Sequence, residues 1–113
     1  MTIKFLDLKK QYLQNKTKIN KAISDVINDT IFIGGSQKQK FEKNFANYVS
    51  SKYCLGVANG TDAIEIALES LNLKKNSEVI VPSNSWISTS EAVTRNNLKV
   101  VFCDIDRETY NID

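Results

Sequence analysis

Tyr12, Ile19, Ile23, Val26 and Ile27 recur at helical spacing with Lys, Gln and Asn between them, and predict an amphipathic helix from Asp7 to Asn28. The glycine pair in "IFIGGS" breaks that pattern and gives the backbone room to turn. Ser36 opens a second helix, with Gln39 three residues on as a capping-box partner. Phe41, Phe45, Tyr48 and Val49 are its expected buried stripe. From Tyr53 the pattern changes: "YCLGVA" is a continuous apolar run, as expected of a strand covered on both faces. In the next segment Ile64, Ala67, Leu68 and Leu71 are spaced i, i+3, i+4, i+7 and predict a third helix. "VIV" reads as a second strand, stopped by Pro82, which has no amide to give a ladder. A fourth helix is expected from Ile87 to Arg95, with Ser88 and Glu91 as a capping box and Asn96-Asn97 ending it. "KVVFC" is the third strand, and the polar tail "DIDRETYNID" begins a connection. The order α-α-β-α-β-α-β argues for an α/β layer with parallel strands. Three strands are few for a sheet buried on both faces, so the chain reads as the front part of a larger domain.

Composition narrows the function. At 113 residues the chain is one domain or part of one, and 42% hydrophobic with 25% charged residues is the balance of a soluble globular protein. A net charge of +2 from 15 basic and 13 acidic residues gives no basic face for nucleic acid. Lys9, Lys10, Lys16, Lys18 and Lys21 are diluted by Asn and Gln and read as a solvated helix face. No apolar run approaches the ~20 residues that span a bilayer. The start, "MTIKFLDLKK", carries charges where a secretory leader would be apolar. The expectation is a cytoplasmic protein without membrane contact. Cys54 and Cys103 lie far apart in apolar runs, which suits buried structural thiols and not a metal site. The chain has no histidine, so any proton chemistry within it must use Lys, Glu, Asp, Tyr or Cys.

In open α/β sheets ligands bind outside the carboxyl ends of the strands. Three such ends are expected here. Asn59-Gly60-Thr61-Asp62 has the outline of a phosphate site: Gly60 allows close approach, the Thr61 and Asp62 amides open a helix, and the Thr61 hydroxyl adds a donor. From these four residues alone a plain turn, with Thr61 as N-cap and Gly60 as turn residue, is the commoner reading, and neither a GxGxxG nor a Walker pattern is present. Ser83-Asn84-Ser85-Trp86 places a tryptophan in a polar turn, where packing beneath the loop is the commoner use and offering its face to a flat ligand is the alternative. An anion cradle beside an indole would suit a planar aromatic phosphate. Asp104-Ile105-Asp106 could hold Mg²⁺, but Asp more commonly bonds its own backbone in turns.

Five blocks, "FLDLKKQY", "FIGGSQKQKFEKNFANYV", "GVANGTDAIEIAL", "EVIVPSNSWISTSEAV" and "VVFCDIDRETYNID", stand in the order and spacing of the DegT/DnrJ/EryC1/StrS sugar aminotransferases, which the whole chain resembles. The resemblance implies the aspartate-aminotransferase-like fold, fold type I, with residues 1–113 forming an incomplete N-terminal part of the major domain. It implies pyridoxal 5'-phosphate as cofactor, a nucleotide-linked keto sugar as substrate, a glutamate-type amino donor and a homodimer. By the same resemblance Gly60, Thr61 and Asp62 match the turn that holds the cofactor phosphate, and Trp86 matches the aromatic stacked on its ring. Ile33, Gly34 and Gly35 match a loop near the sugar site. No lysine here matches the family's Schiff-base lysine, so this chain alone is expected to be inactive. In fold type I the strand matching "YCLGVA" lies toward one side of the sheet and the other two strands toward the other, with strands between them that this sequence does not supply. The competing reading is a non-catalytic α/β binding or interaction module.

Overall fold

The computed structural model describes residues 5–113. Residues 1–4 of the opening stretch "MTIKFLDLKK" lie outside them. The chain divides into two units, one ending at Gly56 and the other running from Val57 to Asp113.

In the first unit, helix α1 spans Leu8–Asp29 and helix α2 spans Gly35–Tyr48. Asp7 caps α1, its carboxylate accepting from the Lys10 amide at 3.0 Å. α1 ends at Thr30 in the left-handed conformation, φ 52°. The turn into α2 needs glycine: Gly34 has φ 74° and Gly35 φ 75°. A Cβ on Gly35 would also meet Ile31 Cγ2 at 3.0 Å. The expected Ser36–Gln39 capping box does not form, because the helix already begins at Gly35 with Gly34 as its N-cap and no side-chain cap. The apolar stripes fall where periodicity puts them, yet they face solvent: no residue of α1 is buried, and Phe41, Phe45, Tyr48 and Val49 are all exposed. Only Ala46 of α2 is buried. Phe41 and Phe45 stack at 5.6 Å between ring centres, with Tyr48 6.4 Å beyond.

"YCLGVA" is not a strand, so the element order is α-α-α-β-α-β. A strand exists by its ladder, and among the described residues two strands pair only with each other. Tyr53 and Leu55 are exposed and Cys54 is only half-buried, so the expected two-sided burial is also absent. The segment is instead held by one charge-assisted bond. The Gly56 amide donates to Glu42 Oε1 at 2.7 Å, and Lys38 Nζ lies 2.9 Å from the same oxygen.

The second unit contains helix α3 (Gly60–Ser70), strand β1 (Glu78–Pro82), helix α4 (Ile87–Arg95) and strand β2 (Lys99–Cys103). β1 and β2 are parallel, with Glu78 opposite Lys99 and Pro82 opposite Cys103. Pro82 therefore closes β1 as its last residue, and the Ser83 amide carries the ladder on to the Cys103 carbonyl at 3.0 Å. The core is Val81, Val93 and Leu98, flanked by Leu68, Val79 and Val100. Ile80 is 62% exposed, so one sheet face is packed and the other open. At the amino ends of the strands, Lys99 Nζ lies 2.7 Å from Glu78 Oε1. That contact holds the glutamate carboxyl below its ordinary value and raises the lysine. Cys103 is half-buried, its thiol donating to the Val81 carbonyl at 3.6 Å, and both cysteines are free. The tail closes on itself through an antiparallel bridge between Ile105 and Ile112.

Val93 is 1% exposed, so Val93→Ala removes two buried methyls and should cost about 2 kcal/mol in chemical denaturation, whereas Ile80→Ala on the open face should cost less than half of that. A second outcome concerns Glu42, whose carboxyl is lowered first by the Gly56 amide bond and then by Lys38. A lowered folded pKa adds stability that is full above the ordinary glutamate value, about 4.3, and is lost as pH falls through the folded value. The hydrogen-exchange protection factor of the Gly56 amide should fall in that acid window and should lose this pH dependence in Glu42→Gln.

Candidate functional site

The site forms where α3 and α4 begin. Asn59 is extended, φ −160°, and caps α3: its Oδ1 accepts from the Asp62 amide at 2.9 Å. Asn59 Nδ2 in turn donates to Asp62 Oδ2 at 3.2 Å, and the Ala63 amide reaches the Asn59 carbonyl at 3.1 Å. Two amides of the first turn are thus satisfied. Those of Gly60 and Thr61 have no protein partner among the described residues. A Cβ built on Gly60 would meet nothing within 4 Å, so the space over this turn is open. Asn59, and not Thr61 as expected, is therefore the N-cap of α3. Thr61 is freed for something else.

Thr61 Oγ1 donates to Ser88 Oγ at 2.8 Å. Ser88 is the second residue of α4, so this bond ties the two helix N-termini together across 27 positions of sequence. The expected Ser88–Glu91 box does not form: α4 has Trp86 as N-cap with no side-chain cap, and Glu91 pairs with Arg95 at 2.9 Å. Glu65 of α3 also meets Arg95, at 3.2 Å, and these two carboxylates raise the arginine above its ordinary value. Asn96 Nδ2 donates to the Glu65 carbonyl at 3.1 Å, a further tie between α3 and the end of α4. Both helix starts carry the positive end of a backbone dipole, offset at α3 by Asp62 and at α4 by no acidic residue.

Trp86 is 78% exposed, so it is not packed beneath its loop. It immediately precedes α4 and stands two residues before Ser88. The turn ahead of it is braced by Ser85 Oγ and Thr89 Oγ1, 2.7 Å apart. The structure thus brings Gly60, Thr61, Asp62 and Trp86 to two joined helix starts. Ile33, Gly34 and Gly35 belong to the other unit. Ile33 is 95% exposed, and Gly34 and Gly35 help line a depression of about 410 Å³ together with Ile31, Phe32 and Gln37.

The third strand end is a turn. Asp106 Oδ1 accepts from the Thr109 amide at 2.7 Å and the Glu108 amide at 3.1 Å, while Asp104 Oδ1 accepts from the Ile105 amide at 2.8 Å. The bonds from Thr109 are the main cause of a lowered Asp106 carboxyl. Among the described residues no group of three or more His, Cys, Asp or Glu is placed to hold a metal. No described helix is long and apolar enough to cross a membrane.

The sequence names Asn59 and Ser88 without their roles, the cap of α3 and the tie to Thr61. Asn three residues ahead of Asp62, at the head of a periodic run, was the available signal for the cap. The local pattern marks Ser88 only as half of a capping box with Glu91, and its real partner is far away in sequence.

Comparison with solved structures gives the class first: the fold is that of fold type I, pyridoxal-phosphate-dependent aminotransferases. The chain is similar to a DegT DnrJ EryC1 StrS aminotransferase from Brucella abortus, with TM-score 0.93 and 31% identity, over 99% of this chain and 30% of that one. It is also similar to ntda from Bacillus subtilis with bound cofactor PMP, with TM-score 0.86 and 29% identity, over 99% of this chain and 26% of that one. Within the class, residues 13–113 match the DegT/DnrJ/EryC1/StrS aminotransferase family, and the chain belongs to it. Among curated relatives, the dTDP-3-amino-3,6-dideoxy-alpha-D-galactopyranose transaminase of Aneurinibacillus thermoaerophilus is 38% identical over 98% of this chain, which spans 31% of that protein's length.

Trp86 is the only tryptophan in the chain, so its exposure can be read directly. Acrylamide should quench the fluorescence of residues 1–113 nearly as efficiently as it quenches free indole; strong shielding would place the ring in a packed site.

Proposed function

We propose that residues 1–113 are the N-terminal part of the major domain of a pyridoxal-phosphate-dependent aminotransferase that aminates a nucleotide-linked keto sugar from a glutamate-type donor. The observation that carries the reading is the pair of open amides at Gly60 and Thr61 beside the Thr61 hydroxyl, in a chain of this family. The sugar transaminase among its relatives supports the substrate class.

The residues present fit the cofactor. Gly60 leaves space for a phosphate to approach, its amide and that of Thr61 point donors outward from the helix start, and the dipoles of α3 and α4 favour the negative charge. Asp62 takes part through its reciprocal cap with Asn59, which holds the turn in shape. Trp86 offers an exposed indole face for the pyridine ring, worth roughly 0.5–1.5 kcal/mol beyond area burial. When bound, the cofactor supplies an electron sink for moving an amino group. This chain's contribution is binding and orientation. None of its lysines matches the family's cofactor-bearing position, so residues 1–113 alone hold no turnover. Ile33, Gly34 and Gly35 are assigned to the sugar side, the glycines keeping a bulky ligand free of Cβ contact. A cytoplasmic homodimer goes with this reading.

A second reading, a non-catalytic interaction module, draws on the exposed Phe41–Phe45–Tyr48 ladder. One titration separates the two. In a complete aminotransferase chain carrying this segment, Thr61→Val should weaken pyridoxal phosphate by about 1–3 kcal/mol, the loss of a hydrogen bond to a charged group. Unchanged affinity would take Thr61 out of the site, and no cofactor binding by the parent chain would favour the interaction module.

A further inference from the structure

The hydroxyl pair at the head of the two helices raises a question of proton direction. Thr61 and Ser88 are both half-buried, and their oxygens are 2.8 Å apart. The pair owns two protons, and one is used in the bond between them. With Thr61 as donor, its one proton is committed to Ser88 and is not free for a ligand. A phosphate dianion only accepts. Thr61 can therefore serve it only if Ser88 takes over as the donor within the pair. Hydroxyl rotors allow that reversal without any heavy atom moving.

We propose that Ser88 is a positioning residue for the cofactor phosphate: on binding it donates to Thr61 Oγ1 and so aims the Thr61 proton at the anion. The inference rests on the cofactor reading above. It gives the bond that spans α3 and α4 a function that the Arg95 and Asn96 contacts with Glu65, farther along the same helices, cannot supply. A bond accepted at Thr61 Oγ1 polarises the O–H that leaves it, so the chain of two bonds holds the anion more strongly than Thr61 alone. Ser88 touches neither the ring nor the reacting atoms in this arrangement. Its effect passes through Thr61 and is confined to ligands that carry a phosphate.

That confinement is the test. In a complete aminotransferase chain carrying these residues, equilibrium binding is measured for pyridoxal phosphate and for pyridoxal, which lacks the phosphate. Ser88→Ala should weaken pyridoxal phosphate about three- to tenfold, the range of one neutral hydrogen bond, and leave pyridoxal unchanged. Ser88→Thr keeps a hydroxyl and should restore binding. In the Thr61→Val background Ser88→Ala should add nothing, since the residue it acts through is gone. Should the alanine chain not fold, Ser88→Cys, a weak donor of similar size, makes the same comparison. An equal loss for pyridoxal, a loss that adds to that of Thr61→Val, or no loss at all would each overturn the proposal. The two levels fail differently. If Thr61→Val itself binds pyridoxal phosphate normally, the phosphate assignment of the turn falls. If Thr61→Val weakens binding and neither Ser88→Ala nor Ser88→Cys does, only the role of Ser88 falls.

Discussion

Two parallel strands cannot be joined by a tight turn; the chain must leave one, cross the sheet and re-enter alongside. β1 and β2 are such a pair, and α4 is their crossover. Much of the second unit follows from that constraint. The crossover must bury one face, and Val93 does so against Val81 and Leu98. It must also begin just past the carboxyl end of β1, which puts Trp86 and Ser88 there. α3 packs on α4 with its own start beside that of its neighbour, joined through Thr61. The chemistry of the site is thus a by-product of how parallel strands are connected.

Polar groups at the site divide into those that complete the fold and those left over. Asn59 uses both ends of its amide to close the cap with Asp62. Ser85 and Thr89 satisfy one another in the turn before α4. What remains is a small surplus of donors at Gly60 and Thr61, and at the start of α4 an exposed indole that is not needed for packing. Such a surplus is cheap at a helix start, where the first amides have no intrahelical partner in any case.

Where local sequence determines structure, the reading from residues was close. α4 and β2 fall on Ile87–Arg95 and Lys99–Cys103 as expected, because periodicity, Pro82 and the Asn96-Asn97 pair all lie within the segment they define. Asp106 behaves as a turn former for the same reason. Where the outcome depends on a distant partner, the reading failed. "YCLGVA" has the composition of a buried strand, but composition cannot supply the neighbouring ladder. Phe41, Phe45 and Tyr48 line up on one face of α2 as their spacing requires, yet spacing does not say what covers them. Ser88 looked like half of a local capping box, and its real partner is 27 residues away. Gly60, Thr61 and Trp86 were legible as candidates because a glycine, a hydroxyl and an indole gathered at helix starts can serve a ligand, although each also has a plain structural use. Their meeting through Ser88 was not.

The missing side chain at Gly60 has a second consequence, in covalent ageing. An asparagine followed by glycine is the dipeptide most open to cyclisation and deamidation, because nothing shields the next peptide nitrogen from the side-chain carbonyl carbon. Asn59-Gly60 is such a pair, and the space around Gly60 is empty. The cap works against that reaction: Asn59 Oδ1 is held on the Asp62 amide and Nδ2 on the Asp62 carboxylate, which fixes the side chain and restrains its rotation toward the Gly60 nitrogen. If the cap frays and Asn59 becomes aspartate, a fixed negative charge appears at the head of α3 and faces the Asp62 carboxylate it once donated to. The openness we propose as a phosphate entrance therefore also leaves the turn exposed to this chemistry, and the cap with Asp62 restrains it.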